Sequence, residues 1–197
     1  ERWQNESVAE VRADICEVLG LLGDARALPL LRGALAMQEE VRAAAAESLG
    51  QIGDTNSIAA LTALLDDPKL EVKNNAASAL GRLRGHEAVP MLLKVLERDS
   101  NDELRAGVCR ALGQIGDTTA LDAMLKVLPQ MVRDREQVLW AVGHLGNSNA
   151  ISTLASALKW KEREERFAAA YALAEIGGAT AANTVTANLA DQDEFAG

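Results

Sequence analysis

Apolar residues fall along this chain at helical intervals, and the helical segments themselves return about every 31 residues. In the run 41–54, Val41, Ala45, Leu49 and Ile52 mark one face of a helix, with Arg42, Glu47 and Gln51 between them. The run recurs at 11–24, 72–85, 104–117, 134–147 and 165–178, in register on Gly20, Gly50, Gly81, Gly113, Gly143 and Ala174. A second stripe follows each run: Leu28/Leu31/Leu35, Ile58/Leu61/Leu65, Val89/Leu92/Leu96, Leu121/Met124/Leu128, Ile151/Leu154/Leu158 and a weaker Ala182/Val185/Leu189. Between the two helices of a unit stands a stop glycine (Gly23, Gly53, Gly116, Gly146, Gly177), suited to a left-handed helix end. In the first, second, fourth and fifth units Asp24, Asp54, Asp117 or Asn147 follows it and is placed to cap the next helix.

A period of this length predicts a stacked array in which each unit buries its apolar face only against its neighbours. The expected fold is all-α, a right-handed α-solenoid (superhelix) of about six two-helix units at 7–37, 38–67, 68–99, 100–130, 131–161 and 162–190. These form one repeat domain over 1–197, with 191–197 as a frayed tail. The register glycine lies inside the apolar face, where a side chain would hold the neighbouring helix away. A glycine there costs roughly 1 kcal/mol of helix propensity, so close packing must offset it. Unit three departs from the pattern: it lacks the Gly-Asp turn and carries Asn74 and Asn75 in mid-helix, which predicts the weakest internal unit. Asn188 in the last unit fits the polar character of terminal repeats.

A cation also recurs: Arg12, Arg42, Lys73, Arg105, Arg135 and Arg166. Twelve residues later stand Asp24, Asp54, Gly85, Asp117, Asn147 and Gly178. The expected role is a structural Arg–Asp ladder tying helices together.

Composition narrows the function. The chain is 48% hydrophobic but only 3% aromatic, so aliphatic residues and alanine must build the core. Its net charge of −9, with no Lys/Arg run, argues against nucleic acid and against anionic membranes. No apolar stretch approaches the roughly 18 residues of a spanning helix, and no leader pattern opens the chain. A first residue of Glu1 rather than Met is expected of a piece of something longer. Cys16 and Cys109 occupy one repeat slot three units apart. At about 8–10 Å per stacked helix their sulfurs lie roughly 30 Å apart, far outside the reach of a disulfide. Two buried, unpaired thiols fit a reducing cytoplasm. No Cys/His cluster has zinc spacing and no Gly-rich phosphate loop stands apart from the repeat glycines, so no catalytic residue, metal or cofactor is assigned.

The pattern VRxxAxxALGxIGDxxAxxxLxxxL, matched almost position by position by residues 41–65 and 104–128, resembles the short HEAT-like repeats of the phycobiliprotein-lyase type. The likeness covers roughly residues 7–190 and implies a superhelix whose second helices line a concave groove. Such repeats occur in scaffolds, chaperones, lyase subunits and iron hydroxylases. Deoxyhypusine hydroxylase, built on similar repeats, holds a di-iron centre with several His-Glu pairs. Only His86-Glu87 qualifies here, since His144 is followed by Leu145. Paired-subunit phycobilin lyases are nearer in repeat style and act as heterodimers with a related chain.

Two surfaces deviate from the repeat average. Of the three Trp, two Phe and one Tyr, four fall between 140 and 171: Trp140, Trp160, Phe167 and Tyr171. Trp140 and Tyr171 share a slot held elsewhere by Glu17, Glu47, Ser78 and Arg110, so they are expected to face solvent as an interface, or else to seal the last repeats or meet Phe195 of the tail. On the second helices, Met91, Leu93 and Leu125 beside Lys94 and Lys126 form an apolar patch rimmed by cations, suited to an acidic amphipathic peptide or protein. The alternative is burial of Leu93 and Leu125 between repeats. The leading expectation is a non-enzymatic protein-interaction module, a scaffold or assembly factor. The alternative is a subunit of a phycobilin lyase or isomerase.

Overall fold

The computed structural model describes the backbone of residues 2–193 and the side chains of residues 8–188. The last four residues of the expected tail and Phe195 lie outside the described residues. Among them there are twelve α-helices and no strand. They form two compact units, 1–95 and 96–197.

In the first unit, α1 (Arg2–Leu22), α3 (Glu39–Ile52) and α5 (Leu70–Arg82) lie side by side, with α2 (Leu28–Ala34) packed on α3 and α4 (Ile58–Leu64) on α5. Leu31, Leu49, Leu61, Leu80 and Leu92, the last from α6 (Val89–Arg98), are fully buried among Ala45, Ala46, Ala76 and Ala77. In the second unit, α7 (Asp102–Ile115), α9 (Arg135–His144) and α11 (Arg163–Ile176) stack in the same way. Here α8 (Leu121–Val127) packs on α9, while α10 (Ile151–Ala157) and α12 (Gly178–Asp193) pack on α11. Leu104, Leu112, Met124, Leu139, Leu154 and Leu173 fill that core. This is the all-α solenoid packing that the repeat predicts.

Both stacks are set by the register glycine. A Cβ placed on Gly50 would lie 2.6 Å from the Cα of Ala79, and one on Gly143 would lie 2.7 Å from the Cα of Ala172. Real Cβ atoms do not approach backbone so closely, so glycine is what lets neighbouring first helices touch main chain to main chain. The stop glycines Gly53 (φ 87°, ψ 32°) and Gly116 (φ 81°, ψ 20°) have the expected left-handed backbone, whereas Gly177 (φ 69°, ψ −168°) departs from it. In unit three Arg84 takes that conformation at φ 51°, and the Gly85 N–H still reaches the Leu80 carbonyl at 3.0 Å. Asn75 of the same unit is a tie rather than a defect, since its Nδ2 donates to the Ala43 carbonyl of the preceding helix at 3.1 Å.

Three expectations need correction. The capping Asp and Asn act on a one-turn 3-10 segment ahead of the second helix: Asp117 accepts from Thr119 N and Asn147 from Asn149 N, each at 3.0 Å. That segment leads directly into the second helix. In the second unit of the repeat, Arg42 does not meet Asp54, the aspartate twelve residues on. Arg42 instead grips Asp67 through Nε and Nη2 (2.7 and 3.2 Å) and the Met37 carbonyl, while Asp54 takes Arg32 at 2.7 and 2.6 Å. Arg105 and Arg166 likewise donate to carbonyls at the end of the previous second helix, Asp99 and Trp160. The slot lies beside that end, where orphan carbonyls call for a cation. In the last unit α12 starts at Gly178 and runs to Asp193, taking in the start of the expected tail. Its buried alanine is Ala181, and Ala182 is exposed.

Gly50→Ala is expected to destabilise the protein by about 2 kcal/mol, because overpacking against backbone outweighs the better helix propensity. Gly33→Ala, at an open site on α2, is expected to stabilise it by about 0.5–1 kcal/mol. Denaturant titration of the two variants checks the opposite signs. Asp54 is buried, and its carboxyl is held below its ordinary value of 3.8 by the Arg32 guanidinium. Such a group stabilises the fold above that ordinary value and loses the effect as pH falls through its lower folded value. Asp54→Asn should therefore melt earlier than wild type at neutral pH, with the gap closing below pH 3.8.

Candidate interaction surfaces

The aromatic surface is built across one helix–helix junction of the second unit. Trp140 leaves α9, and Phe167 and Tyr171, one turn apart, leave α11. The rings meet: Trp140 and Tyr171 have centroids 4.5 Å apart, and Trp140 and Phe167 are 5.9 Å apart edge to face. Trp140 is half-buried, whereas Phe167 is 62% and Tyr171 42% exposed. Trp140 thus closes the junction while the other two rings keep open faces. Behind Phe167 lies a shallow depression of about 400 Å³, lined by Leu158, Arg163, Arg166, Phe167, Ala170 and Val185 among others.

A second ring does structural work that the sequence reading missed. Arg135 lies over the Trp160 ring at 4.5 Å and donates through Nε to Glu165 at 2.7 Å. Glu165 is buried in a slot that Val41 and Val72 fill in the first unit. A carboxylate in that apolar slot was the available signal, since a buried acid requires a partner.

The cation-rimmed residues divide between the units. On α6, Met91 and Leu93 are half-buried and Lys94 is exposed. On α8, Leu125 is half-buried and Lys126 exposed, and Lys126 joins Arg105, Glu97, Asp122 and Gln130 around a depression of about 580 Å³. Neither leucine is fully buried, so each keeps part of its apolar surface available.

Both thiols are free and buried, and burial pushes Cys109 up to about 12, so it stays protonated at neutral pH. His86 stands exposed in the turn His86–Ala88, and His144 Nδ1 lies 2.5 Å from Glu175. Among the described residues no group of three His, Cys, Asp or Glu is gathered to hold a metal ion, and no helix is long and apolar enough to cross a membrane. What the two surfaces offer is recognition: flat π faces beside guanidinium groups, and apolar side chains beside ammonium groups.

The family model for HEAT repeats matches residues 4–81, 58–134 and 130–196, nearly the whole chain. The chain belongs to the HEAT-repeat family. Within it, this HEAT protein is similar to the phycocyanobilin lyase subunit alpha of Nostoc sp. (strain PCC 7120), at 30% identity over 135 residues. That match takes in 60% of this chain and 49% of the relative. It is also similar to a chain of the CpcE–CpcF complex of phycocyanin lyase from the same Nostoc strain, with 28% identity and a TM-score of 0.69. The second match covers 76% of this chain and 64% of that one. The HEAT protein therefore spans about half the length of the curated relative and under two thirds of the solved one. An engineered protein, 19% identical with a TM-score of 0.63 over 85% of this chain and 91% of its own, shares the fold alone.

Trp140→Ala is expected to cost about 2 kcal/mol, because it opens a packed junction. Phe167→Ser should stay within about 0.5 kcal/mol, as a surface change does. Equal losses in thermal unfolding would mean that Phe167 is sealing the fold rather than presenting a free face.

Proposed function

We propose that this chain is a HEAT-repeat subunit of a bilin lyase, which pairs with a related repeat chain and holds an open-chain tetrapyrrole for delivery to a phycobiliprotein. The observation that carries this reading is the combined likeness to the Nostoc lyase: 30% identity in sequence and a TM-score of 0.69 in structure. It favours the lyase subunit over a general scaffold, although recognition of a protein remains part of the work in either case.

The chemistry asked of such a subunit is binding and orientation. Phe167 and Tyr171 offer ring faces on which a flat conjugated chromophore stacks, and Arg163 beside Phe167 offers a cation for its carboxylates. Arg166 is already committed to the Trp160 and Lys161 carbonyls, which leaves Arg163 as the better placed of the two. Met91, Leu93 and Lys94 on α6, and Leu125 and Lys126 on α8, serve in this reading as contacts for the protein partner.

The test is a visible absorption titration of the purified chain with phycocyanobilin, alone and co-expressed with a lyase partner subunit. A red-shifted, sharpened band is expected. Phe167→Ala/Tyr171→Ala should weaken binding about tenfold, from roughly 0.5–1.5 kcal/mol per stacked ring. An unchanged pigment spectrum in both preparations, with a protein partner still bound, would return the scaffold reading to first place.

A further inference from the structure

One buried arginine lacks the partner that its repeat slot supplies elsewhere. Twenty-five residues after Arg42 stands Asp67, which binds its guanidinium through Nε and Nη2. At the same interval from Arg135 stands Trp160, whose ring lies beneath that guanidinium. In the fourth repeat the matching pair is Arg105 and Gln130. Gln130 brings no charge, and its Nε2 is turned to the Lys126 carbonyl at 2.9 Å. Among the described residues the Arg105 side chain makes one hydrogen bond, from Nε to the Asp99 carbonyl at 2.7 Å. Its two Nη groups make none, although the residue is only 8% exposed. A guanidinium taken out of water calls for a carboxylate or for acceptors on every side.

Arg105 lines the depression of about 580 Å³ on the second compact unit, a size usual for small-ligand sites. Helix α8 carries four of the lining residues and lies between α6 and α10 in the chain, well inside the sequence. The lining divides by burial. Leu96, Arg105 and Val127 are buried and form the floor, whereas Glu97, Asp122 and Lys126 are exposed and form the rim. Water and salt screen the rim charges, while the floor guanidinium sits where a charge acts more strongly. The floor therefore draws one negative group inward, and the two rim acids oppose a ligand of high negative charge. Leu96, Ala123 and Val127 offer apolar surface to the rest of the ligand.

We infer that this depression binds an organic monocarboxylate, its carboxylate on the Nη groups of Arg105 as Asp67 pairs with Arg42, and its apolar body against Leu96, Ala123 and Val127. The carboxylate comes from a free small molecule or from an acidic residue of a polypeptide segment, and the chemistry that recognises it is the same. The inference does not depend on pigment binding.

The test is a nuclear magnetic resonance titration of the isotope-labelled chain, read at the amides of Thr119, Ala123 and Lys126. The probes are hexanoate, its uncharged analogue hexanamide, inorganic phosphate, and a short blocked peptide with one glutamate between leucines. Hexanoate or the peptide should shift these amides saturably, and the tighter of the two identifies the source. Hexanamide and phosphate should bind more weakly by about tenfold. Gln130→Asp supplies a carboxylate from within the chain, so it should weaken binding of the carboxylate probes by about tenfold. It should also melt no lower than Gln130→Asn, which leaves probe binding as in wild type. The proposal is overturned if neither carboxylate shifts the amides, or if hexanamide or phosphate binds as tightly as they do. It is equally overturned if Gln130→Asp binds the probes like wild type or melts below Gln130→Asn.

Discussion

Everything in this molecule hangs on how closely two first helices approach. Where Gly50 meets Ala79 and Gly143 meets Ala172, the absence of a single Cβ brings main chain against main chain. That spacing lets small side chains such as Ala76 and Ala169 be fully buried, and an alanine-rich face becomes a core. A larger residue in the register slot would force the helices apart and open voids along the whole junction, because alanines cannot reach across a wider gap.

Polar side chains complete what the glycines begin. Arg42 ties its first helix both to the loop before it, through the Met37 carbonyl, and to the loop after the next helix, through Asp67, while Arg105 takes the Asp99 carbonyl of the loop before α7. Asp102 does the reverse, accepting the N–H groups of Val132 and Arg133 in the following loop. The bonds of Asp102 join residues 30 and 31 apart, and all of these ties leave the outer surfaces free to vary. It is on those surfaces that the units differ: rings on α9 and α11, ammonium groups on α6 and α8, and an apolar strip on α1.

The helical content, the two stripes per unit, the stop glycines and the burial of both cysteines were legible because each is a local periodicity with a single physical solution. The aromatic cluster was legible too, since Trp140 and Tyr171 share a slot in adjacent units and stacking must bring equal slots side by side. The partners of Arg42 and Asp54 were not. Sequence spacing gives the slot of a side chain but not its reach, and each long arginine had several acids and carbonyls within range. The exposure of Val11, Ile15 and Val18 on α1 was hidden for another reason: they obey the same periodicity as a buried face, and periodicity does not tell which faces the described residues pack against. The choice between scaffold and lyase subunit lay beyond the sequence altogether, because the repeat itself is common to both.

The gathering of Trp140, Trp160, Phe167 and Tyr171 in the second unit has an optical consequence. Between Val8 and Val95 the chain contains no aromatic residue, whereas Trp140 and Trp160 sit in fixed and chemically different settings, one among rings and one beneath a guanidinium. Ultraviolet fluorescence and near-ultraviolet dichroism of this chain therefore report chiefly on residues 96–197. Of the three tryptophans only Trp3 belongs to the first unit, so melting of that unit shows chiefly in the peptide-bond absorption of its helices. Any disagreement between the two kinds of curve is a direct measure of whether the two units unfold together.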